Sequence, residues 1–527
     1  MELPTWAAYL VAALLTVFFF KSVLRRGGGR RTYNLPPGPK PWPVIGNLNL
    51  MGALPHRSIH ELSKRHGPLM QLRFGSMAVI VGSSADVARL FLKTHDAAFA
   101  DRPRLVIGRH TAYDCTDILW SNYNAYFRQM RRICADQLFS ARRLESFEHI
   151  RDEEVHATLR GLQRASSSSS GRATVRLRDH LNMLTLGVIS RMVLGRKYVG
   201  EEEEKAAEKG SSPPAATPAE FREMVDEFFV LSGAFNIGDI LPWLHWMDLQ
   251  GYVRRMKRAS QKFGRFLDRI LDEHNNRRQC EGEGFVARDM VDVLLQLADD
   301  PELEVPLTRD NVKAITQDLV IAGTDTASMT MEWAISELLK NPKHLAMATE
   351  ELDRVIGHDH LVSERDLPHL PYIEAILKET MRVHPAAPLL APHVAREDMS
   401  LGGYDIPGGT IVFINVWSIG HDPAAWDAPE EFRPERFMVN KVDVTGHDFE
   451  LLPFGSGRRM CPAYSLALKV MLLSIANLLH AFEWRLPHGT TEEELDMEEV
   501  FLLAMPRKVP LEVVLQPKLP AHLYAGV

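Results

Sequence analysis

Apolar residues recur at helical spacing through most of the chain from about residue 85 onward, which predicts a mainly helical protein. Two stretches have a different pattern. In residues 69–74 and 77–81, apolar side chains cluster or alternate on either side of Gly75-Ser76, which predicts a β-hairpin. A second β-rich stretch is expected over residues 401–416. We therefore predict one large, mainly α-helical domain with small β-sheets.

The longest predicted helix covers residues 309–339 and has an unusual centre. Gly323 and the threonines around it interrupt an otherwise apolar pattern, and each weakens a helix by roughly 0.5–1 kcal/mol relative to Ala. Threonine hydroxyls also bond back to helix carbonyls and open the ladder locally. A small, polar centre of this kind suits a place where a small ligand and water must fit. A packing notch for another helix is the alternative.

Three polar segments are expected to be surface insertions between helices. Residues 166–171 and 201–218, rich in Ser, Glu, Gly and Pro, are predicted to be disordered. Residues 275–284 are predicted to form a loop. No core-sized unit lies between these segments, so they do not mark domain boundaries.

Residues 3–20 form an uncharged, largely apolar run of 18 residues. As a helix, this run spans about 27 Å, just enough for a bilayer core. Basic residues follow it with no acidic residue between them, so the positive-inside rule places the rest of the chain in the cytosol. A cleaved signal peptide fits less well, because the basic residues come after the run and no Ala-x-Ala-like site ends it.

The expected organisation is a transmembrane anchor over residues 1–22, a basic and proline-rich hinge over residues 23–45, and one folded domain over residues 46–527. The hinge is expected to be stiff, because proline fixes φ and favours an extended path.

Composition narrows the class of protein further. The chain has 527 residues, 45% of them hydrophobic, and can bury a large core. Its net charge is −7 and its body carries no basic block, so nucleic-acid binding is not expected. The four cysteines are widely scattered, which excludes a disulfide framework or a zinc-ligand pattern and suits a reducing compartment.

The most informative segment runs from Pro453 to Tyr464 and contains one cysteine, Cys461. Two glycines permit close backbone approach, and two adjacent arginines could clamp anionic groups. An apolar helix is predicted directly after it. A thiolate at a helix N-terminus is stabilised by the helix dipole and makes a strong metal ligand. The alternative is a buried structural cysteine, the commoner role of an isolated one.

The segment resembles the haem-binding signature of the cytochrome P450 family, Phe-x-x-Gly-x-Arg-x-Cys-x-Gly. Phe454, Gly457, Arg459 and Cys461 match it, and Ala463 stands where the family usually has Gly. The resemblance implies a domain of that fold, with haem b as cofactor and the thiolate of Cys461 as the ligand of its iron.

The centre of the long predicted helix resembles the oxygen-binding motif of the same family. The resemblance implies that Thr326 hydrogen-bonds dioxygen and that Asp325 relays protons. Cleavage of the O–O bond needs two protons delivered without flooding the pocket, hence one acid and one hydroxyl.

Glu379 and Arg382 lie at i, i+3 on one predicted helical face, which alone is weak evidence. With Arg436 they resemble the buried triad of the family, whose role is structural: it locks the segment that presents the cysteine. Because a buried charge network is stable only when complete, loss of Glu379 is expected to abolish haem incorporation.

The propionates of a haem need cationic partners. Arg131 stands where the family usually has the Arg of Trp-x-x-x-Arg, with Phe127 in the Trp place, so the indole N–H is missing. Arg459 and, more weakly, His393 are the other candidates.

The resemblance covers nearly the whole chain and implies an NADPH- and O2-dependent haem-thiolate monooxygenase. Electrons are expected from a membrane-bound NADPH–cytochrome P450 reductase, because no Gly-x-Gly-x-x-Gly fingerprint after a strand indicates an internal nicotinamide site. The expected location is the endoplasmic reticulum membrane, single-pass, with the catalytic domain over residues 46–527 in the cytosol.

By the same resemblance the pocket is formed by residues 104–120, 228–234, 320–324, 387–390 and 501–504. These are mostly apolar and indicate a small hydrophobic substrate. The chain most resembles plant members of specialised metabolism, in a branch that forms homoterpenes by cleaving tertiary terpene alcohols such as nerolidol and geranyllinalool. A flavonoid 3′-hydroxylase-like activity is the alternative. Two other classes are an O2-independent haem-thiolate lyase or isomerase and a non-catalytic haem protein, and the Asp-Thr pair argues against both.

Overall fold

The computed structural model describes residues 33–167, 174–198 and 216–525, together with Thr16. The predicted transmembrane anchor, the basic part of the hinge and most of the two segments predicted to be disordered lie outside these residues. Within them the protein is mainly α-helical with three small β-sheets, as predicted.

The α-helices follow one another along the chain as Pro55–His66, Ala85–Arg89, Val106–Thr111, Ala125–Ile133, Ala141–Ser146, Glu148–Ser167, Leu177–Leu194, Pro218–Ser232, Ile237–Ile240, Tyr252–Glu281, Met290–Ala298, Arg309–Lys340, Pro342–Val355, Pro371–Val383, Val416–Gly420, Glu435–Val439, Tyr464–Ala481 and Ala521–Ala525. Short 3-10 and π turns join several of them.

The strands are β1 (Leu69–Phe74), β2 (Met77–Gly82), β3 (Thr174–Arg176), β4 (His393–Val394), β5 (Met399–Leu401), β6 (Tyr404–Ile406), β7 (Ile411–Ile414), β8 (Phe482–Arg485) and β9 (Glu512–Pro517). One sheet has the order β1-β2-β7-β4, a second β3-β9-β8, and β5 pairs with β6 alone. The predicted hairpin is confirmed: β1 and β2 are antiparallel, with Phe74 opposite Met77. The second predicted β-stretch divides between two sheets, because β7 leaves the β5–β6 hairpin and runs parallel to β2.

The predicted long helix is confirmed as Arg309–Lys340 and is called the long helix below. A capping box between Thr308 and Asn311 starts it, and most of its side chains are buried. The Thr324 hydroxyl donates to the Val320 carbonyl over 2.6 Å and that of Thr326 to Ala322 over 2.9 Å. This back-bonding was expected, but it does not open the helix, which stays α-helical throughout.

The prediction of a loop over residues 275–284 is wrong. The helix Tyr252–Glu281 continues through most of it and ends at Gly282, where φ is +56°. Ile270, Leu271 and His274 keep one face buried at helical spacing up to this point. The polar residues that suggested a loop cover the opposite, more accessible face.

The predicted helix after the cysteine spans Tyr464–Ala481 and is called the post-cysteine helix. Among the residues described, it alone is long and apolar enough to cross a membrane, but 67% of it is buried inside the protein. It packs against the long helix and therefore belongs to the core.

Candidate active site

The cysteine loop, residues 453–463, folds back on itself before the post-cysteine helix. The Cys461 N–H donates to the Phe454 carbonyl over 2.9 Å, and the Met460 N–H to that of Gly457 over 3.1 Å. The Cys461 sulphur in turn accepts a hydrogen bond from the Ala463 N–H. The turn thus holds the sulphur in one position immediately before the helix.

Gly457 is required by the backbone of this loop. Its φ is +67°, a region that residues with a Cβ adopt at a cost. A Cβ added there would lie 2.2 Å from the carbonyl oxygen of Leu92. Ala463 is different, because its φ of −102° is accessible to any L-residue.

Accessible surface around the Cys461 sulphur points to an internal hollow. Surrounding protein raises the pKa of the Cys461 thiol through burial, although the Ala463 N–H and the charge of Arg131 oppose this. Yet the surface of Cys461 is only half-buried, as is that of Phe454. On the long helix, Ala322 is exposed and Thr326 half-buried amid buried neighbours. Accessible surface at residues enclosed by protein indicates space for a ligand.

Arg459 lies at the edge of this space. Its guanidinium donates to the carbonyl oxygens of Ala100, over 2.6 Å, and of Ser121, and it stacks 3.8 Å from the ring centroid of Phe127. Burial lowers the pKa of Arg459 to about 10, and the charge of Arg131 adds to the effect while acidic groups oppose it. These contacts fix the position of the guanidinium, and the nearby acidic groups do not fully neutralise its positive charge.

The structure brings the other two predicted cations to the same edge. Arg131 donates no hydrogen bond within the described part of the chain, and burial lowers its pKa although the sulphurs of Cys134 and Cys461 oppose this. The Nδ1 atom of His393 lies 2.8 Å from the Phe99 carbonyl oxygen. Burial, aided by nearby arginines, lowers the pKa of His393 well below its ordinary value.

A fourth cation, Arg102, was missed by sequence reasoning. It is 6% exposed and donates to the carbonyl oxygens of Leu119, Ala391 and Pro392 over 3.1, 2.9 and 2.7 Å. Burial lowers its pKa, and the charge of Arg459 lowers it further. No motif marks Arg102 in the sequence, because its partners lie in segments remote along the chain.

The guanidiniums of Arg102, Arg131 and Arg459, with the neutral His393 ring beside them, fit an anionic ligand. In the described ranges, no carboxylate accepts a hydrogen bond from a side-chain nitrogen of Arg102, Arg131, His393 or Arg459. Like charges crowded into a partly buried site favour binding of a compensating anion. A haem offers two propionates for this edge and an iron for the Cys461 sulphur, so the donor set fits the group.

Asp325 occupies a separate, small cavity between the long helix and the helices Leu177–Leu194 and Pro218–Ser232. The cavity offers about 10 Å³ to the centre of a water molecule, roughly one water. Burial and the charge of Asp226 raise the pKa of Asp325 to about 7, although Arg222 opposes them. A carboxyl group with this pKa holds or releases a proton near neutral pH.

Thr326 does not line that cavity within the described residues. Consecutive residues of one helix therefore differ: Asp325 lines a polar, water-sized cavity, and Thr326 lies outside it with its side chain partly accessible.

The predicted triad is brought together. Glu379 accepts from Nε and Nη2 of Arg382 over 2.7 and 2.8 Å and from Nε of Arg436 over 3.0 Å. Glu379 is 0% and Arg382 1% exposed. Arg382 also donates to the carbonyl oxygens of Gly420 and Pro429, which lie in the segment leading to the cysteine loop.

Two of the predicted pocket stretches, 228–234 and 501–504, meet in an apolar cluster. Phe229 packs there with Ala504 and with Met329 of the long helix, and the backbone of Leu502 and Leu503 approaches so closely that a Cβ on Gly233 would lie 2.5 Å from it. A third stretch, 104–120, is joined to the long helix, where Gln317 donates to the Thr111 carbonyl over 2.7 Å. The apolar lining suits a hydrophobic ligand.

Comparison with known proteins places the chain in a family. The family model for cytochrome P450 matches residues 36–511. Trimethyltridecatetraene synthase of Zea mays is 49% identical over 543 aligned positions, covering 99% of this chain and 95% of the relative. Dimethylnonatriene synthase of Zea mays is 48% identical, covering 99% and 98%. Flavonoid 3′-monooxygenase of Petunia hybrida is 43% identical over all of both chains.

Solved structures agree with this result. A zebra fish cytochrome P450 with abiraterone superposes with a TM-score of 0.70 at 27% identity, covering 88% of this chain and 100% of that one. The chain belongs to the cytochrome P450 family and is a P450 monooxygenase, an oxidoreductase. Membership implies haem iron, O2, a small hydrophobic substrate and a redox partner reductase.

Proposed function

We propose that this monooxygenase takes a tertiary terpene alcohol of the nerolidol or geranyllinalool type and cleaves a C–C bond oxidatively to give a homoterpene. The observation that carries the proposal is full-length similarity, near one residue in two, to two proteins named as synthases of such products. The apolar contacts of Phe229, Leu502 and Leu503 support it, because an acyclic terpenoid offers almost only hydrocarbon to its pocket.

In this proposal Cys461 would hold the iron of haem b through its thiolate, and Arg131, Arg459 and His393 would lie nearest the propionates. A thiolate-ligated haem activates dioxygen and favours cleavage of the O–O bond. Phe454 and Gly457 shape the loop around the sulphur. The Glu379–Arg382–Arg436 triad keeps that loop in place and does not touch the reacting atoms.

Asp325 and Thr326 transfer the protons that the reaction needs. With a pKa of about 7, Asp325 takes a proton from its water-sized cavity and gives it up near neutral pH. The Thr326 hydroxyl, bonded to the Ala322 carbonyl, can turn its proton toward the hollow. Such a relay delivers protons while the hollow stays shielded from bulk water.

We propose location at the endoplasmic reticulum membrane, with residues 1–22 as a single-pass anchor and the catalytic domain in the cytosol. A patch of large apolar side chains near the hinge supports this location. The hinge is joined to the segment that carries most of the patch through the β1–β2 turn, where the Gly75 N–H donates to the Ile45 carbonyl over 3.0 Å and the Ser76 N–H to the Ile240 carbonyl over 2.9 Å. The patch consists of Trp42, Phe235, Trp243, Trp246 and Leu249, all exposed.

An NADPH–cytochrome P450 reductase is the proposed electron donor. Three exposed arginines surround the ring of Tyr123 near the cysteine loop: the guanidinium carbons of Arg128, Arg396 and Arg458 lie 5.7, 5.7 and 5.4 Å from its centroid. Arg396 and Arg458 pair with Asp101 and Asp96 over 3.3 and 3.6 Å, so the excess positive charge of this cluster comes from Arg128. Excess positive charge there would steer an acidic partner to this side of the protein.

The test uses microsomes that contain the full chain and a plant reductase. Nerolidol, geranyllinalool and naringenin are supplied separately, with and without NADPH, and products are identified by mass spectrometry. We expect NADPH-dependent homoterpene release, with Cys461→Ser as an inactive control. A hydroxylated flavanone would move the substrate to the alternative, flavonoid 3′-hydroxylation. Turnover without NADPH and O2 would support the lyase or isomerase alternative instead.

A further inference from the structure

A short loop over residues 116–122, called the pocket loop, lies between the helices Val106–Thr111 and Ala125–Ile133. Trp120 on this loop is buried and packs on Gly108, where an added Cβ would lie 3.0 Å from its ring. The loop overlaps the predicted pocket stretch 104–120. Its position bears directly on how a substrate is bound.

Two carboxyl groups hold the pocket loop, Asp318 from the long helix and Asp117 from the loop itself. Oδ2 of Asp318, on that helix, accepts from the N–H groups of Ile118 and Leu119 over 2.8 and 3.3 Å. Oδ1 of Asp117 accepts from the Trp120 N–H over 2.7 Å. The two carboxyl groups lie close enough for each to shift the pKa of the other. Two carboxylates that share one buried site repel each other, which favours a proton on one of them.

The surroundings favour one proton on the pair. Asp117 is 2% exposed, and burial together with the neighbouring carboxylate raises its pKa well above the ordinary value; burial likewise raises that of Asp318. Among the described residues, no cationic side chain donates to either group. The titratable or charged groups that face the pair are Tyr126, Cys115, Cys134, Arg102 and Arg459.

The opposite side of the loop is bonded to the cationic edge of the haem space. Arg459 donates to the carbonyl oxygens of Ile118 and Ser121, and Arg102 to that of Leu119. Two loop amides thus bond to Asp318 on the long helix and a third bonds to Asp117 within the loop, while loop carbonyls bond to arginines at the cationic edge. A shift of the loop would move both the pocket wall and the guanidinium of Arg459.

We propose that Asp117 and Asp318 are positioning residues: Asp318 fixes the pocket loop against the long helix, Asp117 fixes the turn of the loop itself, and together they set substrate affinity. Neither group acts on the reacting atoms. The inference rests on the family assignment and not on which substrate the protein takes.

The sign of the pH effect follows from the raised pKa of both carboxyls. A group with a folded-state pKa above its unfolded value contributes stability at acid pH and loses it as pH rises through the folded pKa. When the shared proton leaves, two carboxylates occupy one buried site and repel each other. We expect the loop to loosen toward alkaline pH.

The experiment compares the holoenzyme with three variants from pH 6 to 9. Asp318→Asn keeps an oxygen for the loop amides and supplies an N–H for Asp117 at every pH, so it imitates the protonated pair. Asp318→Ala removes the attachment. Asp310→Asn, on the same helix at a side chain 65% exposed, is the matched control. Amide hydrogen exchange of the loop, corrected for intrinsic pH dependence, is measured together with the Kd of 4-phenylimidazole as a probe of the pocket.

We expect the protection of the loop amides in the wild type and in Asp310→Asn to fall at least tenfold as pH rises. In Asp318→Asn protection should stay nearly constant, and in Asp318→Ala it should be low throughout, with probe binding weakened about tenfold. The proposal is overturned if Asp318→Ala keeps wild-type protection and affinity. It is also overturned if Asp318→Asn shows the same pH-dependent loss as the wild type. Neither readout depends on homoterpene formation, so failure here is distinguishable from a wrong substrate.

Discussion

Replacing Glu379 with Ala tests whether the buried triad holds the cysteine loop in place. Glu379 is the only acid bonded to the two guanidiniums of Arg382 and Arg436 in the described structure, and it also accepts from the Arg433 N–H over 2.7 Å. The Ala side chain leaves two arginines without a counter-charge in a site where Arg382 is 1% exposed. Their remaining partners are carbonyl oxygens and the ring of Trp426.

The expected effect is large compared with the stability of a protein. Removing one partner of a buried ion pair costs about 3–5 kcal/mol, since an uncompensated charge stays behind. Total stabilities are only about 5–15 kcal/mol, and every 1.4 kcal/mol is a factor of ten. The segment from Gly420 to Glu431, whose carbonyls bind Arg382, should therefore open in a large fraction of molecules. An opened segment no longer presents Cys461.

The assay is haem per polypeptide, the reduced carbon-monoxide difference spectrum and thermal unfolding of purified protein. The matched control is Glu374→Ala on the same helix, which removes a 2.8 Å pair with Lys378 from an acid that is 50% exposed. Such a pair contributes about 0–1 kcal/mol. We expect the control to load haem normally and Glu379→Ala to lose most of it. Equal haem content in the two variants would refute the structural role of the triad.

Three further outcomes are expected. Thr326→Ala should consume NADPH with little product. In the wild type, product per NADPH should decline above about pH 7, because the ionised Asp325 can no longer donate a proton, and Asp325→Asn should not show this decline. Unchanged coupling of NADPH consumption to product in both variants would exclude the relay. Gly457→Ala should lose haem, because its Cβ would lie 2.2 Å from a carbonyl oxygen; normal loading would mean that the loop adapts. Burial opposes protonation of His274, but its hydrogen bond to Asp289 raises the His274 pKa above the ordinary value. The pair therefore stabilises the protein at acid pH, and this stabilisation is lost as pH rises through the raised pKa. His274→Leu should flatten the pH dependence of the melting temperature, and an unaltered slope would contradict this.

Local patterns allowed much of the fold to be predicted. The β1–β2 hairpin and the long helix have turn signals and periodicity within a few residues, and the structure confirms both. The loop predicted over residues 275–284 was wrong because polar composition outweighed the buried face that ends near His274. The division of the second β-stretch depends on a parallel partner, β2, more than 300 residues earlier, which no local pattern contains.

The same distinction applies to the site. The cysteine loop, the Asp325-Thr326 pair and the triad have short signatures, and the structure brings the triad together as expected. Arg102 and the Asp117–Asp318 pair have none. Asp318 meets the pocket loop across 200 residues of sequence, and a single buried aspartate has no pattern of its own. Groups that act through tertiary contacts alone become visible only once the chain is folded.

The two departures from the family signature, Phe127 and Ala463, leave most of the local contacts in place. Phe127 is 1% exposed and keeps an aromatic face 3.8 Å from the guanidinium carbon of Arg459, a contact worth about 2 kcal/mol when desolvated. Only the indole N–H is lost, about 1 kcal/mol for one hydrogen bond. Ala463 has an unstrained φ of −102°, and its N–H still bonds to the Cys461 sulphur. Because the charge, the stacking and this hydrogen bond remain, haem binding should persist, and the departures should alter the redox potential of the iron rather than its retention.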